Sequence, residues 1–414
     1  MEVRFEGVTV HHPASGRTLL DGVSGELRAR SISALMGASG SGKTTLLTTL
    51  GRRFDVALAY RGTVRYNGAK WRVRDKRRVA FVPQDDLYPL GLTVREHLGF
   101  SSRLRLDVDD RTRADRVESV IRKLRLEKCA DTIIGGEGGM RGVSGGERKR
   151  ACIANELLTE PSLLLCDEVT SGLDSALSAV VIDLLRDLVR AGNLTVCCTI
   201  HQPSSALFAR FDELLALDEG RVFYRGPRAD LVQWLGDIGR PCPPNFNTAD
   251  ALIDVLVLDD SRHADPRVKR VMDENAAFRP VSRAPDAAAG EAASGGVAAS
   301  ARPPGSLAAS RSVIFNLGAN VNPAAQERDE PEFAASFPTQ VWVLLQRMFK
   351  KAGPGIFTPQ TVLSQLGLAL VASVLWWQLG YSASTVFLRA SLCFWLVGTD
   401  SCVCRTLSPS RRAG

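Results

Sequence analysis

A glycine-rich segment near the start of the chain has the residues needed to bind phosphate groups. GASGSGKT, 37–44, matches the pattern G-x-x-x-x-G-K-[ST] in full. Glycines let backbone N–H groups turn towards phosphate oxygens, and the helix that follows adds its dipole. We predict that Lys43 reaches the β- and γ-phosphates of a nucleotide and that the Thr44 hydroxyl binds magnesium. The predicted nucleotide-binding residues of this loop are Gly37, Ala38, Ser39, Gly40, Ser41, Gly42, Lys43, Thr44 and Thr45.

Two neighbouring acids, Asp167 and Glu168, follow the apolar run LLLC. Such a pair on its own would indicate little more than the capped end of a strand. In a chain that also has a phosphate loop, it predicts a metal-bound carboxylate beside a general base. We assign Asp167 to the magnesium ion and Glu168 to the polarisation of an attacking water.

Two further polar side chains stand where apolar runs end. Gln84 follows RVAFVP, and His201 follows LTVCCTI. A lone histidine is more often structural than catalytic, but ligands of open α/β sheets bind at the carboxyl ends of the parallel strands. We therefore predict that Gln84 and His201 face the γ-phosphate and take part in catalysis, with Gln84 also a magnesium ligand.

The elements that must position these residues are short apolar runs that alternate with helical patterns over 1–258. SISALMG predicts a strand that enters the phosphate loop, and KTTLLTTLGRR predicts a helix that leaves it. SLLLCDE and LTVCCTIHQ are almost continuously apolar, which is typical of central parallel strands covered on both faces. The segment 94–130 is predicted to be largely helical. The fold class is therefore α/β.

A second glycine pair, in VSGGERKR at 143–150, raises the question why one chain would carry two phosphate-type loops. The order of phosphate loop, Gln84, VSGGERKR, LLLCDEVTSGLDS and His201 resembles the nucleotide-binding domains of ABC ATPases. VSGGER is similar to the signature motif of that family, and SGLDS, 171–175, is similar to its D-loop. The resemblance implies a P-loop NTPase fold of the ABC type, with ATP and Mg²⁺ as cofactors.

The resemblance also implies an answer to the question of the two loops. In that family two nucleotide-binding domains pack head to tail, and the signature loop of one closes over the ATP held by the other. Binding of ATP then joins the domains, and its hydrolysis separates them. The residues implied to contact nucleotide in this way are Ser144, Gly145, Gly146, Glu147 and Asp174.

Longer segments narrow the resemblance to one subfamily. VPQDDLYPLGLTVREHLGF, MRGVSGGERKRACIANELL and TIHQPSSALFARFDELLALDEGRVFYRGP resemble the G subfamily of eukaryotic half-transporters, in which the ATPase precedes the membrane part. This implies a second half-transporter as partner, identical or similar, contact with membrane lipid, and transport of lipids, sterols or other hydrophobic small molecules. It implies a membrane protein, multi-pass if complete, with its nucleotide-binding domain in the cytosol.

The chain changes character after the α/β region. Residues 259–332 are rich in Ala, Gly, Ser and Pro and are predicted to be a disordered linker. Residues 333–351 have the pattern of an amphipathic connecting helix at a membrane interface. Within 352–414, TVLSQLGLALVASVLWWQLG at 361–380 has the length of a membrane span. A second span that starts at 390 is interrupted at Asp400, so the membrane region is expected to be truncated.

Composition and departures from the family pattern qualify this interpretation. The net charge of +7 is dispersed over helix surfaces, so nucleic acid is not an expected partner. Nine cysteines without a regular framework indicate reduced thiols. The adenine-stacking position falls on Val10 or His11, neither of which is a large aromatic residue. The alternative function is a truncated membrane-anchored or soluble ABC ATPase that does not transport on its own.

Overall fold

Ten strands form two sheets in the part of the chain that the structure describes. In this computed structural model, the described residues are 1–55, 57–85, 91–135, 142–259, 264–278 and 334–352. The strands are β1 (Val3–His11), β2 (Thr18–Leu27), β3 (Ile32–Gly37), β4 (Ala59–Tyr66), β5 (Ala69–Lys70), β6 (Val79–Val82), β7 (Leu163–Cys166), β8 (Thr195–Thr199), β9 (Glu213–Asp218) and β10 (Arg221–Pro227).

Ten α-helices accompany the strands in the described residues. They are α1 (Lys43–Leu50), α2 (Val94–Arg105), α3 (Asp110–Lys123), α4 (Gly145–Leu157), α5 (Ser175–Ala191), α6 (Ser205–Phe208), α7 (Leu231–Asp237), α8 (Thr248–Leu258), α9 (Pro266–Ala277) and α10 (Phe337–Ala352). The predicted helical character of 94–130 is confirmed, since α2 and α3 occupy most of this segment.

The larger sheet has six strands in the order β10-β9-β3-β8-β7-β6. Strands β9, β3, β8, β7 and β6 are parallel, and β10 is antiparallel to β9. Alternate residues of β3 join different apolar clusters, with Met36 in one and Leu35 in the other. The sheet is therefore buried on both faces, which is why its central strands are so uniformly apolar.

The smaller sheet is antiparallel, with the order β2-β1-β4-β5. Its buried side chains, such as Val3 and Phe5, pack in the same apolar cluster as Leu46 and Leu47 of α1. The alternation of strands and helices over 1–258 did not predict this second sheet. Its pairing depends on contacts between distant residues, for example Val3 with Tyr66, that local patterns do not record.

The topology gathers the predicted site at one edge of the larger sheet. Strands β3, β6, β7 and β8 are parallel neighbours, so the loops that follow them leave at the same edge. Those loops contain the first glycine segment, Gln84, the acids Asp167 and Glu168, and His201. This is the edge at which open α/β sheets bind their ligands.

Helix α9 differs from the prediction, because it lies inside the segment 259–332 that composition indicated to be a linker. Asp265 caps its start by accepting a hydrogen bond from the Arg267 N–H, and Val268 and Met272 are buried. The buried Asn275 amide donates to the carbonyl oxygens of Val222 and Phe223 in β10. The Ala- and Gly-rich composition of the whole segment had masked this short amphipathic stretch.

Helix α10 covers most of the segment predicted to be an amphipathic connecting helix. Phe337, Trp342 and Met348 are exposed on it. The predicted span 361–380 and the interrupted second span lie outside the described residues. Among the helices that are described, none combines the length and the apolar character needed to cross a bilayer.

Candidate functional site

The first glycine loop connects the end of β3 to the start of α1 and is closely packed. Gly37 and Gly42 have φ angles of 147° and 97°, which side chains rarely allow. A Cβ atom on Gly37 would lie 2.3 Å from the Leu217 carbonyl oxygen, and one on Gly42 would lie 2.8 Å from the Leu19 carbonyl oxygen. Both positions therefore require glycine, because a side chain there would collide with the backbone of a neighbouring strand.

Lys43 occupies the interior of this loop. Its Nζ donates to the carbonyl oxygens of Gly37 at 3.0 Å and Ala38 at 2.8 Å, and the side chain is buried. Burial lowers the pKa of Lys43, while the negative charges of Glu168 and Asp167 act in the opposite direction. The loop therefore holds a cation next to two carboxylates.

Ser41 provides a test of whether the loop fits an anionic ligand. Its Oγ is buried and has no hydrogen-bond partner among the described residues. A buried hydroxyl without a partner destabilises the folded state, because it has lost its hydrogen bonds to water and has formed none within the protein. A phosphate oxygen in the loop would accept this hydrogen bond and would balance the charge of Lys43. The residues present therefore fit a phosphate group.

Thr199, the last residue of β8, holds the two acids that follow the neighbouring strand β7. Its Oγ1 donates to Asp167 Oδ1 at 2.7 Å and accepts from the Glu168 N–H at 2.6 Å. Asp167 is buried, with 3% of its surface exposed. One hydroxyl thus fixes both the carboxylate that was assigned to magnesium and the backbone of the residue assigned as base.

The Glu168 carboxylate lies between Gln84 and His201. Gln84 Nε2 donates to Glu168 Oε2 at 2.7 Å, and His201 Nε2 lies 2.9 Å from Glu168 Oε1. The backbone of Glu168 is left-handed, with φ at 47°, which is strained for a residue with a side chain. The structure therefore brings together all three residues that the sequence assigned to catalysis.

The second glycine loop is arranged differently, at the start of α4. Ser144 caps the helix: its Oγ accepts from the Glu147 N–H, and Glu147 Oε2 accepts from the Ser144 N–H at 2.8 Å. The hydrogen bonds that the Ser144 N–H and hydroxyl donate to the Glu147 carboxylate, chiefly the one from the backbone, lower the pKa of Glu147. Ser144 and Gly145 are exposed. The loop therefore satisfies its own helix end and leaves Ser144 and Gly145 on the surface, whereas Gly146 is buried.

The remaining predicted residues are distributed around these two loops. Thr44 is exposed and Thr45 half-buried in the first turn of α1. Asp174 caps α5 by accepting from the Leu177 N–H at 2.7 Å, and the side chain of Leu177 packs beside Gly146. The second loop and Asp174 therefore lie close to each other, with Leu177 in contact with both.

The two positions considered for adenine stacking fare differently. Val10 is fully buried in the core, so it has no face to offer a base, and that alternative is wrong. His11 is half-buried in β1 and pairs with Thr18 and Ala59 on the two sides. His11 therefore stays the candidate for the adenine-stacking position.

Two residues of this site were missed by the sequence argument. Thr199 gave no signal, since a threonine in a buried strand is ordinary. Lys149 of α4 is buried, and its Nζ donates to the Gln84 carbonyl oxygen at 2.9 Å. Helical spacing was the available signal, because Lys149 precedes the buried Cys152 and Ile153 by three and four positions.

Comparisons with known proteins agree with this geometry. Residues 20–171 match the family model for ABC transporters. The chain is 43% identical to Protein white of Drosophila melanogaster over 262 residues, covering 62% of this chain and 38% of that protein. It is 35% identical to ABC transporter G family member 21 of Arabidopsis thaliana over 394 residues, covering 88% of this chain and 53% of that protein. The chain thus spans about half or less of the length of these curated relatives.

Two further similarities complete the comparisons. The chain is 41% identical to the ABC transporter ATP-binding protein/permease wht-1 of Caenorhabditis elegans, covering 60% of this chain and 37% of that protein. The solved structure of cbiO1 from Clostridium perfringens, part of the ABC transporter complex cbiONQ, aligns with a TM-score of 0.49 and 19% identity, covering 66% of this chain and 98% of that one.

The α/β sheet, the phosphate loop and the capped second glycine loop define an ATPase domain of the ABC type, a P-loop class that hydrolyses ATP. The chain belongs to the G subfamily of ABC transporters.

Proposed function

We propose that this chain is the ATP-binding and ATP-hydrolysing subunit of a dimeric membrane transporter that moves lipids, sterols or other hydrophobic small molecules. The observation that supports it most is the position of the Glu168 carboxylate, between Gln84 and His201 and close enough to Lys43 to affect its pKa. A base, its orienting partners and a phosphate-binding cation therefore meet at one edge of the sheet.

Each residue of this group has a defined task in hydrolysis. Lys43 and the Ser41 hydroxyl bind phosphate oxygens, and Glu168 takes the proton of the attacking water. His201 holds one oxygen of the Glu168 carboxylate, and Gln84 holds the other. His201 and Gln84 thereby fix the direction in which the base faces.

Magnesium is the metal that this set of residues would hold. Mg²⁺ usually takes one or two protein carboxylates together with substrate phosphates and water. Asp167 supplies the carboxylate, Thr44 the hydroxyl and Gln84 the amide oxygen. When bound, the ion neutralises charge on the phosphate oxygens. The contribution of the chain is to keep Asp167 oriented through the Thr199 hydroxyl.

The exposed second loop supports the dimer. Gly145 lies on the surface at the positive end of a helix, an arrangement that favours an anion. The Ser144 N–H and hydroxyl donate to Glu147 Oε2, so the hydroxyl would have to turn from that carboxylate to reach a phosphate. The loop would bind the γ-phosphate of the nucleotide held by a second half-transporter, with Glu147 keeping the cap in place and Asp174 beside it. Such a pair would enclose two ATP molecules.

Membrane location follows from the subfamily. We place the nucleotide-binding domain, 1–258, in the cytosol, and we assign α10, within 333–351, to a connecting helix at the membrane interface. Its exposed Trp342 and Met348 support that position. Residues 361–380 would form the first membrane span.

The test of this function is the variant Glu168→Gln in the full chain, purified in detergent. Gln keeps the size of the side chain but cannot accept a proton, so ATPase turnover should fall by about 100-fold or more. Binding of ATP should stay within about twofold of wild type, because the phosphate loop is untouched. The ATP-bound variant should sediment as a dimer, since the nucleotide that joins the subunits is no longer cleaved.

A matched control and a transport assay complete the test. Glu274→Gln changes an exposed carboxylate on α9 that pairs with Arg270, and it should leave turnover unchanged. In vesicles that contain the wild-type protein, ATP should drive movement of a fluorescent sterol or lipid, and E168Q should abolish it. Wild-type turnover in E168Q would remove Glu168 from the role of base, and monomeric sedimentation with ATP would refute the dimer.

A further inference from the structure

Helix α4 connects the second glycine loop to the residue that holds Glu168. The helix begins at that loop, and Lys149 follows the Ser144 cap by five positions. Lys149 is 3% exposed, and its Nζ donates to the Gln84 carbonyl oxygen at 2.9 Å. A cation in the interior thus contacts the backbone of a residue that was assigned to the active site.

Gln84 is held at two of its polar groups, one on the backbone and one on the side chain. Its backbone carbonyl accepts from Lys149, and its side-chain Nε2 donates to Glu168 Oε2 at 2.7 Å. Gln84 follows β6 in a loop rather than within a strand, so sheet hydrogen bonds do not fix its position. Two side chains therefore help to place Gln84, and one of them, Lys149, comes from α4.

Helix α4 is itself fixed on another side. Arg150, the next residue, donates through its Nη1 to the carbonyl oxygens of Leu124 at 3.2 Å and Arg125 at 2.9 Å, just after the end of α3. A helix rises 1.5 Å per residue, so Lys149 lies only about 7 to 8 Å along the axis from the Ser144 cap. A displacement of the cap would therefore displace Lys149 by nearly the same amount.

We propose that Lys149 is a positioning residue that sets Gln84 against the Glu168 carboxylate and so links the second glycine loop to the hydrolytic site of its own chain. This inference rests on the proposed function, in which Gln84 and Glu168 act on ATP. Lys149 does not touch the reacting atoms. It acts through the backbone of Gln84, and its loss should lower the rate of hydrolysis without changing the affinity for nucleotide.

A lysine that served packing alone would give a different pattern. Its replacement by methionine, which has a similar length and no donor, would then lower stability and affect turnover independently of Gln84. If Lys149 acts through Gln84, removal of the Gln84 side chain should erase the effect of the lysine on turnover. A double-mutant cycle separates these two cases.

The experiment measures ATPase kinetics, nucleotide affinity and thermal unfolding for K149M, Q84A and the double variant of the full chain. We expect kcat of K149M to fall about tenfold, a typical coupling for groups in one hydrogen-bond network. The affinity for ATP should stay within about twofold. The double variant should be no slower than Q84A alone. Lys149→Arg, which keeps a charged donor, should recover most of the lost rate.

Controls keep the result independent of folding. Lys123→Met removes an exposed lysine near the end of α3 and should match wild type in every measurement. The cycle is repeated with Lys149→Gln, so that the conclusion does not depend on whether K149M folds.

The outcomes distinguish this proposal from the proposed function. If Q84A is slow and the loss from K149M adds to it in full, Lys149 does not act through Gln84 and this inference is overturned alone. A wild-type kcat in K149M and K149Q would overturn it as well. If Q84A itself turns over at the wild-type rate, the role of Gln84 in the proposed function fails, and the inference fails with it.

Discussion

The two glycine loops use the same residue type for opposite reasons. In the first loop, glycine is required by contacts inside the chain, since a Cβ on Gly42 would collide with the backbone of β2. In the second loop, the nearest atom to a Cβ on Gly145 is a side-chain carbon of Leu173 at 3.7 Å, which is an ordinary contact. The fold explains the first glycine, whereas it does not require the second, which agrees with the proposed contact between Gly145 and the nucleotide of a partner.

The largest effect should come from Gly42→Ala in the first loop. The added methyl would meet the Leu19 carbonyl oxygen at 2.8 Å, and φ at 97° is unfavourable for alanine. We expect the free energy of unfolding to fall by about 1–3 kcal/mol and nucleotide affinity to fall at least about tenfold.

The matched control is Gly40→Ala, which also has a positive φ but would meet no atom within 4 Å. Urea unfolding of both variants should show a smaller loss of stability for Gly40→Ala. Equal losses would mean that backbone conformation, and not the collision with β2, explains the glycine at 42.

A large effect on activity without one on stability should follow from Gly145→Ala. Alanine is favoured over glycine in a helix, so the melting temperature should stay the same or rise. ATP binding should be unchanged. ATPase turnover should fall by about tenfold to 100-fold, because the methyl covers the surface assigned to the nucleotide of the partner. A loss of about this size is typical when one hydrogen-bond donor to the charge that develops in the transition state is removed.

Gly99→Ala, in the middle of α2, is the control for this variant. Its added methyl would meet nothing within 4 Å, so stability should rise and turnover should not change. Wild-type turnover in Gly145→Ala would indicate that the exposed loop contacts no nucleotide, and the contrast between the two loops would lose its functional meaning.

The smallest effect concerns pH and the cap of the second loop. Hydrogen bonds from Ser144 lower the pKa of Glu147 below its value of 4.5 in the unfolded chain. Stabilisation by this carboxylate is therefore fully present above pH 4.5 and is lost as the pH falls through the lower, folded pKa. In Glu147→Gln the amide can still cap the helix, so the change at neutral pH should be slight.

Thermal unfolding of wild type and E147Q between about pH 3 and 7 measures this contribution. The stability advantage of wild type should shrink as the pH falls below 4.5. A constant difference across the range would mean that the charge of Glu147 does not contribute to the cap.

Much of the site could be predicted because it depends on local patterns and one topological rule. Strands β3, β7 and β8 were evident as apolar runs, and the residues that follow parallel strands must meet at one edge. That rule was enough to expect Gln84 and His201 near Glu168. It needed no knowledge of side-chain rotamers.

The rest could not be predicted, because it depends on orientation or on distant pairing. VSGGERKR has three basic residues in a row, and the spacing of Lys149 from Cys152 and Ile153 is by itself too weak a signal to decide which one α4 turns inward. Only the packing of α4 makes Lys149 the buried one. The antiparallel sheet was missed for a related reason, since β1 lies between two strands that come later in the chain.

The left-handed backbone conformation of Glu168 places the stability of the fold and the proposed chemistry in conflict at this position. A side chain at φ of 47° is strained, and strain of this kind costs on the order of 1–3 kcal/mol. A glycine there would relieve the strain and raise the free energy of unfolding, while removing the carboxylate that we propose as the base. Stability and the proposed chemistry therefore favour different residues at position 168, an instance of the general conflict between stability and activity.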